Sequence, residues 1–341
     1  MMKPLILVDP HPRTLVQICD APTRAKLESL GELVIHEDGP MPDAMIDAFL
    51  PRAAVVLGQT HLPRARLERA PNLRAIVNVE TNFTDAIDYD YCFEKGIHVL
   101  TPASAFADVV AESTLAMAID LARGITAADR AFRRGAESYG TDGNIGAFSL
   151  IGADVGLIGF GDLARAFHRL IAPFGCVIKV FDPWVPDYVL HQHGCLPATL
   201  DEVLSTTRVI VVFAGVTSEN QGFLGRRALS LIRPDAVFLL MSRAAVVDFP
   251  VFVELVQAGR FRAATDVFPV EPVALDDPIR QAEGMLLSAH RTGGMPEALF
   301  DIGRQTVADV DLILRGLPPV VCRKALRETV GRFRSKPVAI S

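Results

Sequence analysis

Residues 154–167 read Asp-Val-Gly-Leu-Ile-Gly-Phe-Gly-Asp-Leu-Ala-Arg-Ala-Phe. An apolar run closes at Ile158, small residues follow at Gly159, Gly161 and Ala164, and an amphipathic stretch begins. That order predicts a strand, a tight turn and a helix, the setting in which Gly-x-Gly-x-x-Ala binds a dinucleotide. Gly159 permits the turn, Gly161 lets backbone approach a pyrophosphate, and Ala164 lets helix and strand pack closely. The helix N-terminus then offers free N–H groups and a partial positive charge to the phosphates. The next apolar run ends in Asp182, 21 residues after Gly161. An acid there accepts hydrogen bonds from the adenosine ribose hydroxyls and repels a 2′-phosphate, which favours NAD (NADH) over NADP.

The same rhythm extends outward in both directions. Apolar runs recur at 177–181, 209–213, 236–241, 263–266 and 285–288, and before the fingerprint at 5–8, 33–35, 53–57, 73–77 and 98–100. Runs apolar on both faces belong at the centre of a doubly wound sheet. Helical patterns lie between them, for example at 22–29 and 44–50, with longer ones at 107–124 and 297–315. The polar, Arg-rich stretch 127–145 reads as an exposed arm or connector, and a basic tail follows Pro319. Alternation of this kind predicts an α/β fold with mainly parallel strands.

Composition removes several function classes. The 341 residues carry 34 Lys+Arg against 40 Asp+Glu, a net charge of −6, and 50% are hydrophobic. That is enough apolar material for packed cores, so intrinsic disorder is excluded. No basic block is present to neutralise phosphates, so no nucleic-acid partner is expected. No apolar run approaches the roughly 18–20 residues that span a bilayer, so no membrane partner is expected either. The start of the chain reads as a strand, not as a signal peptide. Cys19, Cys92, Cys176, Cys195 and Cys322 are odd in number, widely spaced and free of a C-x-x-C pattern. That usage suits a reducing, cytoplasmic compartment. His191-x-His193 superficially resembles a metal pair but has no acidic or thiol partners beside it in sequence, so no metal is expected.

Three further motifs join the fingerprint: Leu240-Met-Ser-Arg-Ala-Ala-Val-Val-Asp248, Asp266-Val-Phe-Pro-Val-Glu-Pro272 and Ser288-Ala-His-Arg-Thr-Gly-Gly294. With Val110-Ala-Glu112, and in this order and spacing, they resemble the D-isomer-specific 2-hydroxyacid dehydrogenase family from about Arg74 to Arg315. The resemblance implies a Rossmann-type nucleotide-binding domain at 104–295. It would be inserted into a flavodoxin-like α/β substrate domain made of 1–103 and 296–341. It also implies two hinge helices, an active-site cleft and a homodimer joined largely through the nucleotide domain.

Reducing a 2-oxo acid needs a hydride, a proton for the carbonyl oxygen and a cation for the carboxylate. The resemblance assigns His290 as general acid/base, since an imidazole exchanges protons near neutral pH. Glu271 would accept from the imidazole, and Arg243 would grip carboxylate and carbonyl oxygen with its fork of donors. The implied cofactor contacts are Val110, Gly159, Phe160, Gly161, Asp162, Leu163, Asp182, Ala214, Gly215, Val216, Met241, Ser242, Arg243, Asp266, His290, Thr292 and Gly293. Asp266 would serve the nicotinamide side. The substrate would be a small anionic 2-hydroxy or 2-oxo acid, of the glyoxylate/hydroxypyruvate or sugar-acid kind. Family formate dehydrogenases carry Gln where this chain has Glu271, which disfavours formate oxidation; phosphite or formate oxidation on the same fold is one alternative. An NAD(H)-sensing, corepressor-like protein on the same fold is the other alternative.

The substrate loop departs from the family. It reads Asn78-Val-Glu-Thr-Asn-Phe-Thr-Asp-Ala-Ile-Asp88, which puts Thr81 and Phe83 where the family has glycines. The resemblance gives substrate contacts to Glu80, Asn82 and Phe83, the last two through backbone N–H groups, beside Arg243 and His290. Replacing glycines narrows the allowed backbone, and Phe adds bulk. Two readings stay open. The loop hydrogen-bonds a polyhydroxylated substrate or binds differently; or Phe83 packs against an interdomain helix and Glu80 faces water. Arg291, next to His290, either faces solvent or acts on the imidazole.

Overall fold

In a computed structural model of the protein, which describes residues 3–80 and 82–333, the apolar runs become strands of two sheets. The chain divides into two units: residues up to Phe106 together with those from Gly294 onward, and Ala107–Gly293.

In the first unit β1 (Leu5–Asp9), β2 (Glu32–Ile35), β3 (Ala53–Gly58), β4 (Ala75–Val77) and β5 (His98–Thr101) run parallel in the order β5-β4-β3-β1-β2. The central strands β1, β3 and β4 are buried at every position, as strands covered on both faces must be. One face packs on the helix Pro296–Leu314 through Ile302, Val307, Val310 and Ile313. That helix approaches closely at Gly303, where a Cβ would fall 2.1 Å from the Ile18 carbonyl oxygen. The other face packs on Ile46, Leu67 and Tyr91. Of the run 73–77, only Ala75–Val77 pairs as strand.

In the second unit β6 (Asp154–Ile158), β7 (Val177–Phe181), β8 (Leu196–Pro197), β9 (Val209–Val212), β10 (Val237–Leu240), β11 (Arg262–Thr265) and β12 (Met285–Leu287) form one parallel sheet. Its order is β12-β11-β10-β9-β6-β7-β8, with the topological switch between β6 and β9, the doubly wound arrangement of dinucleotide-binding folds. Phe167, Val180 and Leu239 sit in the core on one face, and Phe238, Val203 and Leu204 on the other.

The structure departs from the sequence reading in two places. The stretch read as a connector begins with a helix, Ile125–Arg133, none of whose residues is buried. Gly124 and Gly135, both at positive φ (67° and 66°), bracket it. Two short edge strands also went unread. One is β8, and the other is β13 (Arg323–Lys324), which pairs antiparallel with β5. Two residues cannot express a period-two pattern, so nothing in the local sequence marks them.

Candidate active site

The fingerprint turn is held from three sides. Gly159 has φ 90°, and a Cβ on it would lie 2.7 Å from the Ala214 nitrogen, because the chain leaving β9 crosses directly over the turn. Only glycine satisfies both the dihedral and the contact. Gly161 is the N-cap of the helix Asp162–Ile171, with no side chain to bind the first-turn N–H groups. A Cβ on Gly161 would meet nothing within 4 Å, so the turn is open in front. Ala164 is fully buried against the sheet.

Asp182 holds the turn from the end of β7. Its Oδ2 accepts the Phe160 N–H at 2.7 Å, and its Oδ1 accepts the Trp184 N–H at 2.8 Å. A carboxylate offers about four lone-pair sites, so acceptor capacity remains for a ligand hydroxyl. Behind the turn Phe160 is fully buried, edge-on to His168 and His193. Arg165 donates from Nε to the Phe160 carbonyl at 3.2 Å and lies 3.3 Å from His193 Nε2. A guanidinium can only donate, so His193 accepts. Burial pushes His168 below its ordinary imidazole value, assisted by His193. Among the described residues no group of three His, Cys, Asp or Glu side chains is arranged to hold a metal ion.

Neighbouring strands carry the remaining motifs. Asn220 braces the segment after β9, donating to the Gly215 carbonyl at 2.7 Å and accepting the Thr217 N–H at 2.7 Å. Val216 and Met241 are buried, as is Val110 on the helix Ala107–Arg123. Ser242, after β10, has a buried hydroxyl with no hydrogen-bond partner. Such an orphan is costly unless a ligand completes it.

Arg243, Glu271 and His290 follow β10, β11 and β12, three adjacent strands of a parallel sheet. Their carboxyl ends are where such folds bind ligands. His290 Nδ1 lies 2.7 Å from Glu271 Oε2, and the other Glu271 oxygen accepts the Phe268 N–H at 2.9 Å. The carboxylate is thereby fixed by its own loop before it orients the imidazole. Burial pushes the Arg243 guanidinium below its ordinary value, and the neighbouring charge of Glu271 pulls it back. Arg243 Nη1 donates to the Ser242 carbonyl at 2.8 Å.

His290 has φ 49°, a left-handed backbone unusual for a residue with a side chain. The reason it persists is Asp266. Only 2% exposed, Asp266 accepts the Arg291 N–H at 3.0 Å, and the Thr292 N–H and hydroxyl at 3.2 and 2.5 Å. Three bonds into the residues that follow His290 over-determine its conformation. The sequence reading placed Asp266 toward the nicotinamide and did not see this clasp. Arg291 contributes its backbone to the clasp while the residue as a whole is exposed. Gly293 follows Thr292 half-buried.

In the first unit the loop after β4 resolves the open readings differently for its two residues. Phe83 is buried in its own unit's core, edge-on to Tyr89 at 6.3 Å and tilted on Phe333 at 6.1 Å. Glu80 does not face water. Its side chain is 10% exposed, with Oε1 2.5 Å from Arg13 Nε. Burial pushes the Glu80 carboxyl above its ordinary value, against the pull of Arg13 and His11. Asn78 braces the loop by accepting the Glu80 N–H at 2.9 Å and donating to Asn82 Oδ1 at 3.2 Å. Thr81 lies outside the described residues. Sequence reasoning missed Arg13, Asn220 and Arg165. Each becomes visible only once the strand order brings distant loops together.

Comparisons with known proteins agree with this architecture. The profile described as "D-isomer specific 2-hydroxyacid dehydrogenase, NAD binding domain" matches residues 115–292. D-3-phosphoglycerate dehydrogenase of Mycobacterium tuberculosis is 27% identical over 307 residues, 89% of this chain and 57% of that protein. The chain therefore spans little more than half the length of that relative. Hydroxypyruvate reductase of Blautia hydrogenotrophica is 23% identical over 304 residues, 87% of this chain and 94% of that protein. Among solved structures, a phosphoglycerate oxidoreductase from Rhizobium etli superposes with a TM-score of 0.87 at 42% identity, covering 96% of this chain and 99% of that one.

Proposed function

The chain belongs to the D-isomer specific 2-hydroxyacid dehydrogenase family, and from that premise we propose that it is an NAD(H)-dependent 2-hydroxyacid dehydrogenase working as a 2-oxoacid reductase. The observation that carries the reading is the His290–Glu271 contact of 2.7 Å, with Arg243 following the neighbouring strand of the same sheet. Glu271 accepts at Nδ1, which leaves Nε2 as the nitrogen that delivers a proton to the substrate carbonyl oxygen. Arg243 binds the substrate carboxylate and polarises the carbonyl. In a chain of net charge −6, capture of a small anion depends on such a local cation.

The residues present fit a dinucleotide. The open face at Gly161, the helix N-terminus that Gly161 caps without a side chain, the spare acceptor capacity of Asp182 and the orphaned Ser242 hydroxyl are the groups it would complete. Bound there, a reduced nicotinamide dinucleotide supplies the hydride. Asp182 would face the adenosine ribose, and its charge favours NADH over NADPH. The unit Ala107–Gly293 is then the nucleotide domain.

The assay is NADH oxidation with glyoxylate, hydroxypyruvate and longer 2-oxo acids. Turnover abolished by Arg243→Ala supports the reading. No turnover of any substrate, with NADH bound by calorimetry, overturns it. We also propose a homodimer joined through the nucleotide unit, supported by the exposed apolar side chains of Ile125, Phe132, Tyr139, Ile145 and Ile151. A monomer mass by light scattering overturns that assembly.

A further inference from the structure

His193 stands just past the helix Asp187–Gln192, between β7 and β8. Its ring meets the fingerprint turn from behind. It lies edge-on to Phe160 at 5.3 Å and to His168 at 6.0 Å, and its Nε2 is 3.3 Å from Arg165 Nη1. The guanidinium donates, so Nε2 carries no proton, and His193 is the neutral imidazole with its hydrogen on Nδ1.

Arg165 links that ring to the turn. Its Nε donates to the Phe160 carbonyl at 3.2 Å, and its guanidinium lies over the Phe160 ring, 5.2 Å from the centre. Asp182 holds the N–H of the same residue at 2.7 Å. Phe160, between the two glycines, is thus gripped at both ends of its backbone. The Phe160–Gly161 peptide is trans, and a trans peptide aims its C=O and N–H in opposite directions. Holding the Phe160 carbonyl therefore also sets the direction of the Gly161 N–H, at the glycine whose front is open.

We propose that Arg165 is a positioning residue for the dinucleotide's pyrophosphate, and that His193 keeps it in place only while neutral, so that acid weakens dinucleotide binding. The proposal rests on the dehydrogenase reading above only for its nucleotide site. A protonated imidazole has no lone pair for Arg165, and it sets a second positive charge beside a guanidinium that cannot give up its own. Arg165 then swings away, and the Phe160 carbonyl and Gly161 N–H lose the direction it gave them. Arg165 and His168 face the His193 ring from the helix Asp162–Ile171, which Asp162 heads. The Cys195 thiol lies 3.9 Å from the His193 carbonyl, and His191, on the preceding helix, is exposed. Asp182, at the end of β7, accepts from Phe160 and Trp184.

The test titrates the full chain with ADP-ribose by calorimetry, from about pH 8 to about pH 5, the range in which imidazoles exchange protons. ADP-ribose lacks the nicotinamide and so keeps His290 out of the readout. Its Kd is expected to rise about three- to tenfold toward the acid end, as the loss of one hydrogen bond implies. His193→Gln offers an amide oxygen to Arg165 and does not titrate, so its Kd should stay constant within about twofold. Arg165→Met, which fills the space without a donor, should be constant too, and weak at every pH. A wild-type Kd that stays constant or falls toward acid overturns the proposal alone, whatever the variants do. A profile as steep as the wild type's in either variant does the same, since it moves the titration to another group such as His168. ADP-ribose that binds at no pH overturns the nucleotide site, and the dehydrogenase reading with it.

Discussion

The carboxylate of Asp182 holds the backbone N–H of Phe160 at 2.7 Å, so the acid at the end of β7 is a structural part of the turn between β6 and its helix. Removing it acts twice on cofactor binding. It releases the turn and deletes the acceptor proposed for the ribose. A hydrogen bond to a charged group contributes about 1.5–3 kcal/mol. Asp182→Ala is therefore expected to raise the NADH Kd by about ten- to hundredfold, while NADPH binding falls less. Fluorescence titration with both nucleotides checks this, and an unchanged ratio between them contradicts the assignment.

Asp266 predicts a different signature. Asp266→Ala strips partners from two backbone N–H groups and the Thr292 hydroxyl. A buried group left unsatisfied costs about 1–3 kcal/mol, so urea denaturation should show a loss of at least that order. His290 would no longer be held at φ 49°, so kcat should fall in the fraction that stays folded. Asp266→Asn, which keeps one acceptor oxygen, should lie between.

His290 and Glu271 should behave as one unit. General acid–base groups typically contribute about 10²–10⁴ in rate, and His290→Ala is expected to lose that much kcat. Glu271→Gln keeps an acceptor for Phe268 and the imidazole but removes the charge, so a smaller loss is expected. The double variant should be no slower than His290→Ala, since groups in one hydrogen-bonded pair are not additive. Additive losses in single-turnover kinetics would separate the two roles.

A pH prediction concerns stability of the first unit. Asp20 caps the helix Ala21–Leu30 by accepting the Thr23 N–H at 3.0 Å, and it binds Arg304 Nη2 at 2.6 Å. The Thr23 and Arg304 hydrogen bonds lower its carboxyl from the ordinary 3.8 to about 2. A carboxyl depressed on folding contributes stability that is complete above its unfolded value and is lost as pH falls through the folded one. Denaturation midpoints of wild type and Asp20→Asn should therefore differ above about pH 4 and converge toward pH 2. A constant difference across that window contradicts the pairing.

Legibility in the sequence followed the range of the interactions. Strands buried on both faces, such as β3 and β9, announce themselves as unbroken apolar runs because every position meets a core. Gly159 was readable because one local turn needs both its positive φ and its missing Cβ. His290, Glu271 and Arg243 were named from motifs, and they do stand at the ends of three neighbouring strands. What the sequence hid is what distant segments do to one another. Nothing near Arg13 announces Glu80, 67 positions on, until β1, β3 and β4 are set side by side. Asp266 reads equally as a ligand contact or a clasp until the hydrogen bonds to 291 and 292 are in view. Phe83 read equally as bulk in a binding loop or as a packed side chain, and its partner Phe333 lies 250 positions on.

The helix Pro296–Leu314 packs on strands made from the first hundred residues, and this orders events during synthesis. A ribosome adding about 5–20 residues per second needs roughly 10–40 s to travel from Phe106 to Leu314. Throughout that interval Ile6, Val8 and Val55 wait for Ile302, Val307 and Val310. The whole segment Ala107–Gly293 meanwhile emerges with all seven of its strands. The segment in the middle of the chain is thus the first able to finish folding. The opening hundred residues, though made earliest, keep one apolar face uncovered until the last helix arrives.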